Sequence, residues 1–257
     1  MPLHITSLNS GSNGNCYYIG NDTEAVLIDA GLSLRQTEVR MKRLGLSLKT
    51  VKAIFISHEH SDHISGVSQV AGRHQIPVYI TAKTLRSSRL PLDYFPIRPF
   101  AAHEPVEVGG LRITAFPKQH DAVDPHSFLV ADDDTTVGVL TDIGAVCEHV
   151  IGYFKQCHAV FLEANYDEDL LANGRYPIFL KRRIQGDHGH LSNQQALALF
   201  RDHKPDFLTH VLLSHLSKDN NSPVVASEMF QPHMDQARLI VASRFAETAV
   251  YTVRAGG

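Results

Sequence analysis

Short apolar runs that each stop at a polar residue set the pattern of this 257-residue chain. Residues 16–19 and 25–28 are two such runs, and the second halts at Asp29-Ala30-Gly31. Leu34, Met41 and Leu44 recur at helical spacing between Ser33 and Gly45, which predicts a helix there. Residues 51–56 read as a buried strand ending at Ser57-His58, 64–73 as a helix and 77–81 as a strand. The middle is strand-rich, with runs at 106–108, 111–117, 127–131 and 136–141 separated by Gly109-Gly110 and Asp132-Asp133-Asp134. Helices are expected over 145–157, 193–203 and 224–234, and strands over 159–163, 211–214, 239–242 and 249–253. This rhythm predicts an α/β fold of two mixed β-sheets flanked by helices. Without a low-complexity linker or a fixed repeat, it reads as a single domain over 1–257.

Composition narrows the class. The chain is 43% apolar and 20% charged, as expected of a globular protein. No apolar run approaches the length of a membrane span, and no signal peptide is visible after Met1. Cys16, Cys147 and Cys157 are an odd number without a Cys-x-x-Cys, which predicts free thiols in a reducing cytoplasm. A net charge of -3 argues against a strongly basic nucleic-acid coat, but a nuclease can take its local positive charge from metal ions. Histidine is abundant, at 16 against 17 glycines, so its placement matters.

The strongest local signal is Ser57-His58-Glu59-His60-Ser61-Asp62-His63, three histidines and an aspartate directly after a predicted strand. A compact loop there can turn several ligands to one point, and imidazole with carboxylate suits zinc, manganese or iron. Further candidates sit at other strand ends: His120 after 111–117, Asp142 after 136–141 and His215 after 211–214. Each alone is commonly a turn or capping residue; together they repeat one pattern.

In order, Asp29, His58-x-His60-x-Asp62-His63, His120, Asp142 and His215 resemble the five motifs of the metallo-β-lactamase fold. The resemblance implies a four-layer αβ/βα sandwich with two divalent metal ions at one edge, zinc first, with manganese or iron as alternatives. It implies His58, His60 and His120 on the first ion, Asp62, His63 and His215 on the second, and Asp142 bridging. Asp29 would orient the ligand loop by hydrogen bonds. Paired ions can share a hydroxide and serve as its clamp, and Asp62 would orient that nucleophile. The ligand set is more similar to the phosphodiesterase branch than to the antibiotic-hydrolysing branch, in which a cysteine stands near the Asp142 position.

Phe161-Leu162-Glu163-Ala164-Asn165-Tyr166 and Gly189-His190-Leu191-Ser192-Asn193-Gln194-Gln195-Ala196 resemble paired segments of ribonuclease Z. That likeness implies Glu163 and His190 as partners protonating the leaving 3′-oxygen, although Leu191 replaces a small hydroxyl residue. Ser10-Gly11-Ser12-Asn13-Gly14-Asn15-Cys16, 186–193 and 214–221 are similar to the YycJ/WalJ group of nuclease-like proteins with this fold. This implies a 5′-to-3′ exonuclease with DNA as partner. The Ser10–Asn15 loop is either a tight turn or an anion-binding nest, with Ser12 and Asn13 as phosphate contacts. Lys181, Arg182 and Arg183 are either phosphate contacts or a solvated helix face. Ser192 is a further phosphate candidate and a good N-cap. The 72 residues between Asp142 and His215 leave no room for a β-CASP cap domain. The alternatives are a small-molecule hydrolase acting on a thioester, lactone or cyclic nucleotide, and an RNA-processing nuclease.

Overall fold

The computed structural model describes residues 1–91 and 93–255, so the one-domain reading of 1–257 runs beyond the described residues at 92, 256 and 257. The chain opens with β1 (Leu3–Asn9), β2 (Cys16–Gly20) and β3 (Ala25–Ile28), then α1 (Leu34–Arg43) and β4 (Val51–Phe55). Next come α2 (Ser61–Ile64), α3 (Val67–His74), β5 (Val78–Tyr79), α4 (Ala82–Ser88) and β6 (Ile97–Arg98). The second half runs β7 (Pro105–Val108), β8 (Leu111–Pro117), β9 (His126–Ala131), β10 (Thr136–Leu140), α5 (Glu148–Phe154) and β11 (Ala159–Glu163). It continues through α6 (Glu168–Asn173), α7 (Ile178–Gln185), α8 (Asn193–His203), β12 (His210–Ser214), α9 (Pro223–Phe230), β13 (Arg238–Val241) and β14 (Tyr251–Val253).

The strands form two seven-stranded mixed sheets, ordered β14-β1-β2-β3-β4-β5-β6 and β13-β12-β11-β10-β9-β8-β7. Within the first, β3, β4, β5 and β6 run parallel; within the second, β10, β11, β12 and β13 do. Successive side chains on a strand point to opposite faces, which explains why the strand runs are apolar throughout. Val26 and Ile28 join the core between the sheets, whereas Ala25 and Leu27 join a second core under α1 and α3. Likewise Ala159, Phe161 and Leu212 face inward, while Val160, Leu162, Val211 and Leu213 pack against α5, α8 and α9. Three cores thus separate four layers, as expected.

Two helices differ from expectation. The 64–73 helix is broken into α2 and α3 at Gly66. The 145–157 helix shortens to Glu148–Phe154, because Asp142 to Val146 are drawn into the loop where Gly144 N donates to Gln119 O. The apolar pattern predicts neither α4 nor α6, and of α7 only a solvated face at 181–183 is expected. Among the described residues, no helix is long and apolar enough to cross a membrane.

Candidate metal centre

The site forms where the carboxyl ends of the parallel strands meet. Asp29 follows β3, Asp142 follows β10, Glu163 ends β11 and His215 follows β12. Glu163 pairs with Ser214 in the β11–β12 register, so His215 leaves the sheet beside it. Asp29, Asp142 and His215 all have positive φ (61°, 55° and 58°), in the left-handed region that bends a strand end sharply. That bend turns each side chain back over the sheet edge.

The ligand loop is held from below. Asp29 accepts from Ser57 N and Ser57 Oγ, both at 2.8 Å, and lies 2.7 Å from His63 Nδ1. Ser57 Oγ also lies 2.9 Å from His58 Nδ1. His60 Nε2 contacts Asp121 O at 3.2 Å, and His120 Nδ1 contacts Gly189 O at 3.0 Å. With one ring nitrogen engaged on each histidine, the other is directed inward. His58 Nε2 and His60 Nδ1 stand 3.1 Å apart, and His58, His60 and His120 bring donor atoms within reach of one cation. Asp62, His63 and His215 form a second such group. Asp142 lies between them, with Oδ2 3.3 Å from His63 Nε2 and Oδ1 3.4 Å from His215 Nδ1 and 3.9 Å from His120 Nε2.

His120 Nε2, His215 Nε2 and Asp142 Oδ2 are buried with no hydrogen-bond partner. Each such orphan costs about 1–3 kcal/mol unless something coordinates it. Their convergence, together with the borderline donor set, fits a divalent cation. Electrostatics agree. Burial pushes His58 down, as does neighbouring His63, and burial also lowers His120; both therefore offer neutral nitrogens. Burial opposes charge on His63 and His215 too, but the surrounding carboxylates win. Asp142, Asp29 and Asp62 raise His63, while Asp142, Asp62 and Glu163 raise His215 to about 10. Burial would raise Asp62 and Asp142, yet His63 and His215 hold both well down. The same carboxylates therefore favour charge on these two histidines.

Glu163 is fully buried and accepts from Ile143 N at 2.7 Å and Leu191 N at 3.2 Å. Its Oε1 lies 2.8 Å from His190 Nδ1 and 3.1 Å from His215 Nδ1. Burial raises its carboxyl, but His190 and these hydrogen bonds bring it below the usual range. His190 is half-buried and lines the cleft.

The cleft holds about 320 Å³ and is lined by site residues together with Ser12, Ser61, Asp121 and Arg183. Of the phosphate candidates, Ser12 and Arg183 reach it and the other four do not. Asn13 Nδ2 donates to Arg244 O, and Lys181 Nζ donates to Ala172 O on another face of α7. Arg182 is exposed outside the cleft. Ser192 is buried: its Oγ accepts Gln195 N in a capping box and donates to Glu168. Within the 10–15 loop, Gly11, Gly14 and Asn15 donate their N–H groups inside the protein. The loop braces Asp62, through Asn15 Nδ2 to Asp62 Oδ2 at 3.0 Å.

Sequence reasoning missed Lys118 and Asp121. Lys118 is buried beneath the site and donates from Nζ to Thr141 O at 2.6 Å; burial lowers its amine. Asp121 sits on the rim, with Oδ1 3.4 Å from His120 Nε2 and Oδ2 gripped by Arg183 Nε at 2.6 Å and Nη2 at 2.5 Å. Their only sequence signal is proximity to His120.

Comparison with known proteins gives a consistent picture. A family profile described as "Beta-lactamase superfamily domain" matches residues 24–216. The chain is 36% identical to exodeoxyribonuclease YycJ of Bacillus anthracis over 231 residues, 88% of this chain and 87% of that protein. It is 32% identical to exodeoxyribonuclease WalJ of Streptococcus pneumoniae over 243 residues, 93% and 90% of the two chains. Its fold is similar to that of YhfI from Bacillus subtilis, a metallo-β-lactamase fold protein, with a TM-score of 0.74 at 17% identity over 98% of this chain and 100% of that one.

Proposed function

This chain belongs to the metallo-β-lactamase-fold superfamily and is a metal-dependent hydrolase, and we propose that it is a dinuclear nuclease that digests DNA from the 5′ end towards the 3′ end. The observation that carries the reading is the junction of two three-residue groups able to hold a cation, with Asp142 beside both and a Glu163-held histidine in the same polar cleft. Two relatives named exodeoxyribonucleases support the substrate class.

His58, His60 and His120 would hold one ion, Asp62, His63 and His215 the other, and Asp142 both; zinc, manganese or iron would suit them. When bound, such ions supply an activated water and neutralise charge on the phosphate. The Asp62 carboxylate, steadied by Asn15, would orient that water. His190 has Nδ1 on Glu163, so Nε2 delivers a proton to the leaving 3′-oxygen. Arg183 and Ser12 bind phosphate oxygens at the mouth. The polar lining argues against an apolar small-molecule pocket. The unpaired thiols of Cys16, Cys147 and Cys157 support a cytoplasmic location.

The test is an activity matrix. Protein loaded with zinc, manganese or iron is incubated with 5′-phosphorylated and 5′-hydroxyl DNA and RNA, single- and double-stranded. Mononucleotide release from 5′-phosphorylated DNA is expected, lost in His60→Ala. Failure to cleave any of these with both metals bound would sink the reading.

A further inference from the structure

We propose that α7 is a nucleotide-reading rail, on which Phe179 stacks against an unpaired base while Arg183 holds the phosphate beside it, so that the cleft selects a single-stranded end. This rests on the nuclease reading above.

Helix α7 buries none of its residues, although it carries Ile178 and Phe179, which are 68% and 73% exposed. Its place is nonetheless fixed. His190 N donates to Ile184 O at 2.9 Å and Gly189 N to Gly186 O at 2.7 Å, tying the helix to the segment that carries His190. A Cβ on Gly189 would come within 2.1 Å of Ile184 O, so no side chain separates the two. At the mouth, Asp121 fixes the Arg183 guanidinium through Nε and Nη2 while His188 O accepts Asp121 N at 2.9 Å. Asp121 is thus a positioning residue, and it leaves the remaining Arg183 donors for a phosphate.

Phe179 precedes Arg183 by four residues, hence lies on the same helix face one turn away, with Cβ atoms about 5–6 Å apart. A cation over the cleft followed by a solvent-facing aromatic ring matches one nucleotide, phosphate then base. Stacking on aromatic side chains is a common means of holding single strands without regard to sequence. A blunt duplex keeps its terminal base paired, so that the base cannot splay out beside its own phosphate to meet Phe179. The occupant is therefore a single-stranded nucleic acid end, recognised by its charge and its bases together.

Binding is measured on the metal-loaded protein with 5′-phosphorylated, phosphorothioate-linked oligonucleotides carrying 2-aminopurine at the 5′ end. Wild-type protein should quench 2-aminopurine and bind the single strand about tenfold more tightly than a blunt duplex. In Phe179→Ala that preference should fall towards one and the quenching should vanish, a change of ~1.4 kcal/mol. Phe179→Tyr keeps the ring and should restore both, whereas Arg183→Ala should weaken single-strand and duplex binding alike. Unchanged quenching and preference in Phe179→Ala would overturn the proposal. So would sedimentation showing that the same substitution splits a dimer without altering quenching, since the face would then belong to a second copy. Cleavage of an ordinary phosphodiester oligonucleotide by the same preparation is scored separately. Binding and quenching without nucleotide release would remove the nuclease reading and leave the rail.

Discussion

Asp29, Asp142 and His215 occupy a backbone region that L-residues seldom adopt, at strained strand ends. Such strain costs on the order of 1–3 kcal/mol per residue and persists where the surroundings enforce it, commonly at functional sites. Here the hydrogen bonds from Ser57 to Asp29 and from His215 N to Ser10 Oγ enforce it. Ser57→Ala removes the hydroxyl that links Asp29 to His58, and metal affinity measured with a competing chelator should fall about 10–100-fold. Glu163→Gln retains the shape but loses the charge that holds His190 and His215. Its kcat should drop about 10²–10⁴-fold, as for loss of a general acid, with KM changing far less. Equal loss in KM with kcat intact would assign Glu163 to substrate binding instead.

At the scale of elements, the break between α2 and α3 comes where a backbone hydrogen bond is diverted out of the helix. Gly66 N donates to Ala30 O at 2.9 Å, and a Cβ there would stand 1.7 Å from Leu32 O. Gly31 is similarly tight, with its added Cβ 1.8 Å from Asp62 O. The short α2, bearing Asp62 and His63, is therefore pressed directly against the 30–32 backbone. Gly66→Ala should destabilise the protein by about 1–3 kcal/mol in urea unfolding and reduce metal occupancy with it. A substitution that lowers the urea midpoint without touching occupancy would show that α2 and the ligand loop move independently. Helix α7 illustrates the opposite case: with no buried face, nothing in hydrophobic spacing announced it, and mooring by Gly189 and Asp121 substitutes for packing.

For the whole molecule, the two sheets bring acidic and imidazole groups from distant segments into one cluster whose charge depends on metal. His63 and His215 lie above their ordinary range, so without metal they are protonated at neutral pH, and a cation must displace those protons. Affinity at the Asp62–His63–His215 group should rise with pH, by about tenfold per unit for each proton released, until pH passes the raised values. Calorimetry in buffers of different ionisation enthalpy reads the released protons directly; metal binding with no net release would contradict this charge balance. The same raised values make the metal-free fold lose histidine-linked stability as pH climbs past neutrality towards about 10. Chelation should also lower Tm, since removing a metal present at 100 times its Kd costs about 2.7 kcal/mol of stability per site.

Much of this was legible in the chain because the information is local. An apolar run with a polar stop marks a buried strand and its end, and the spacing within Ser57 to His63 places several ligands in one loop whatever the rest of the fold does. Asp29, His120, Asp142 and His215 likewise each come after an apolar run, which marks four strand ends. The remainder depends on which segments meet. Lys118 and Asp121 differ from ordinary surface residues only because the end of β10 meets one and α7 reaches the other. Lys181, Arg182 and Arg183 are equivalent as a string, yet successive residues on a helix point about 100° apart, so only Arg183 faces the cleft. Ser192 offered the same choice between cap and phosphate contact, and its Oγ is buried in the capping box at the start of α8. Spacing along a chain specifies periodicity and order; direction, burial and partner exist only once distant segments pack.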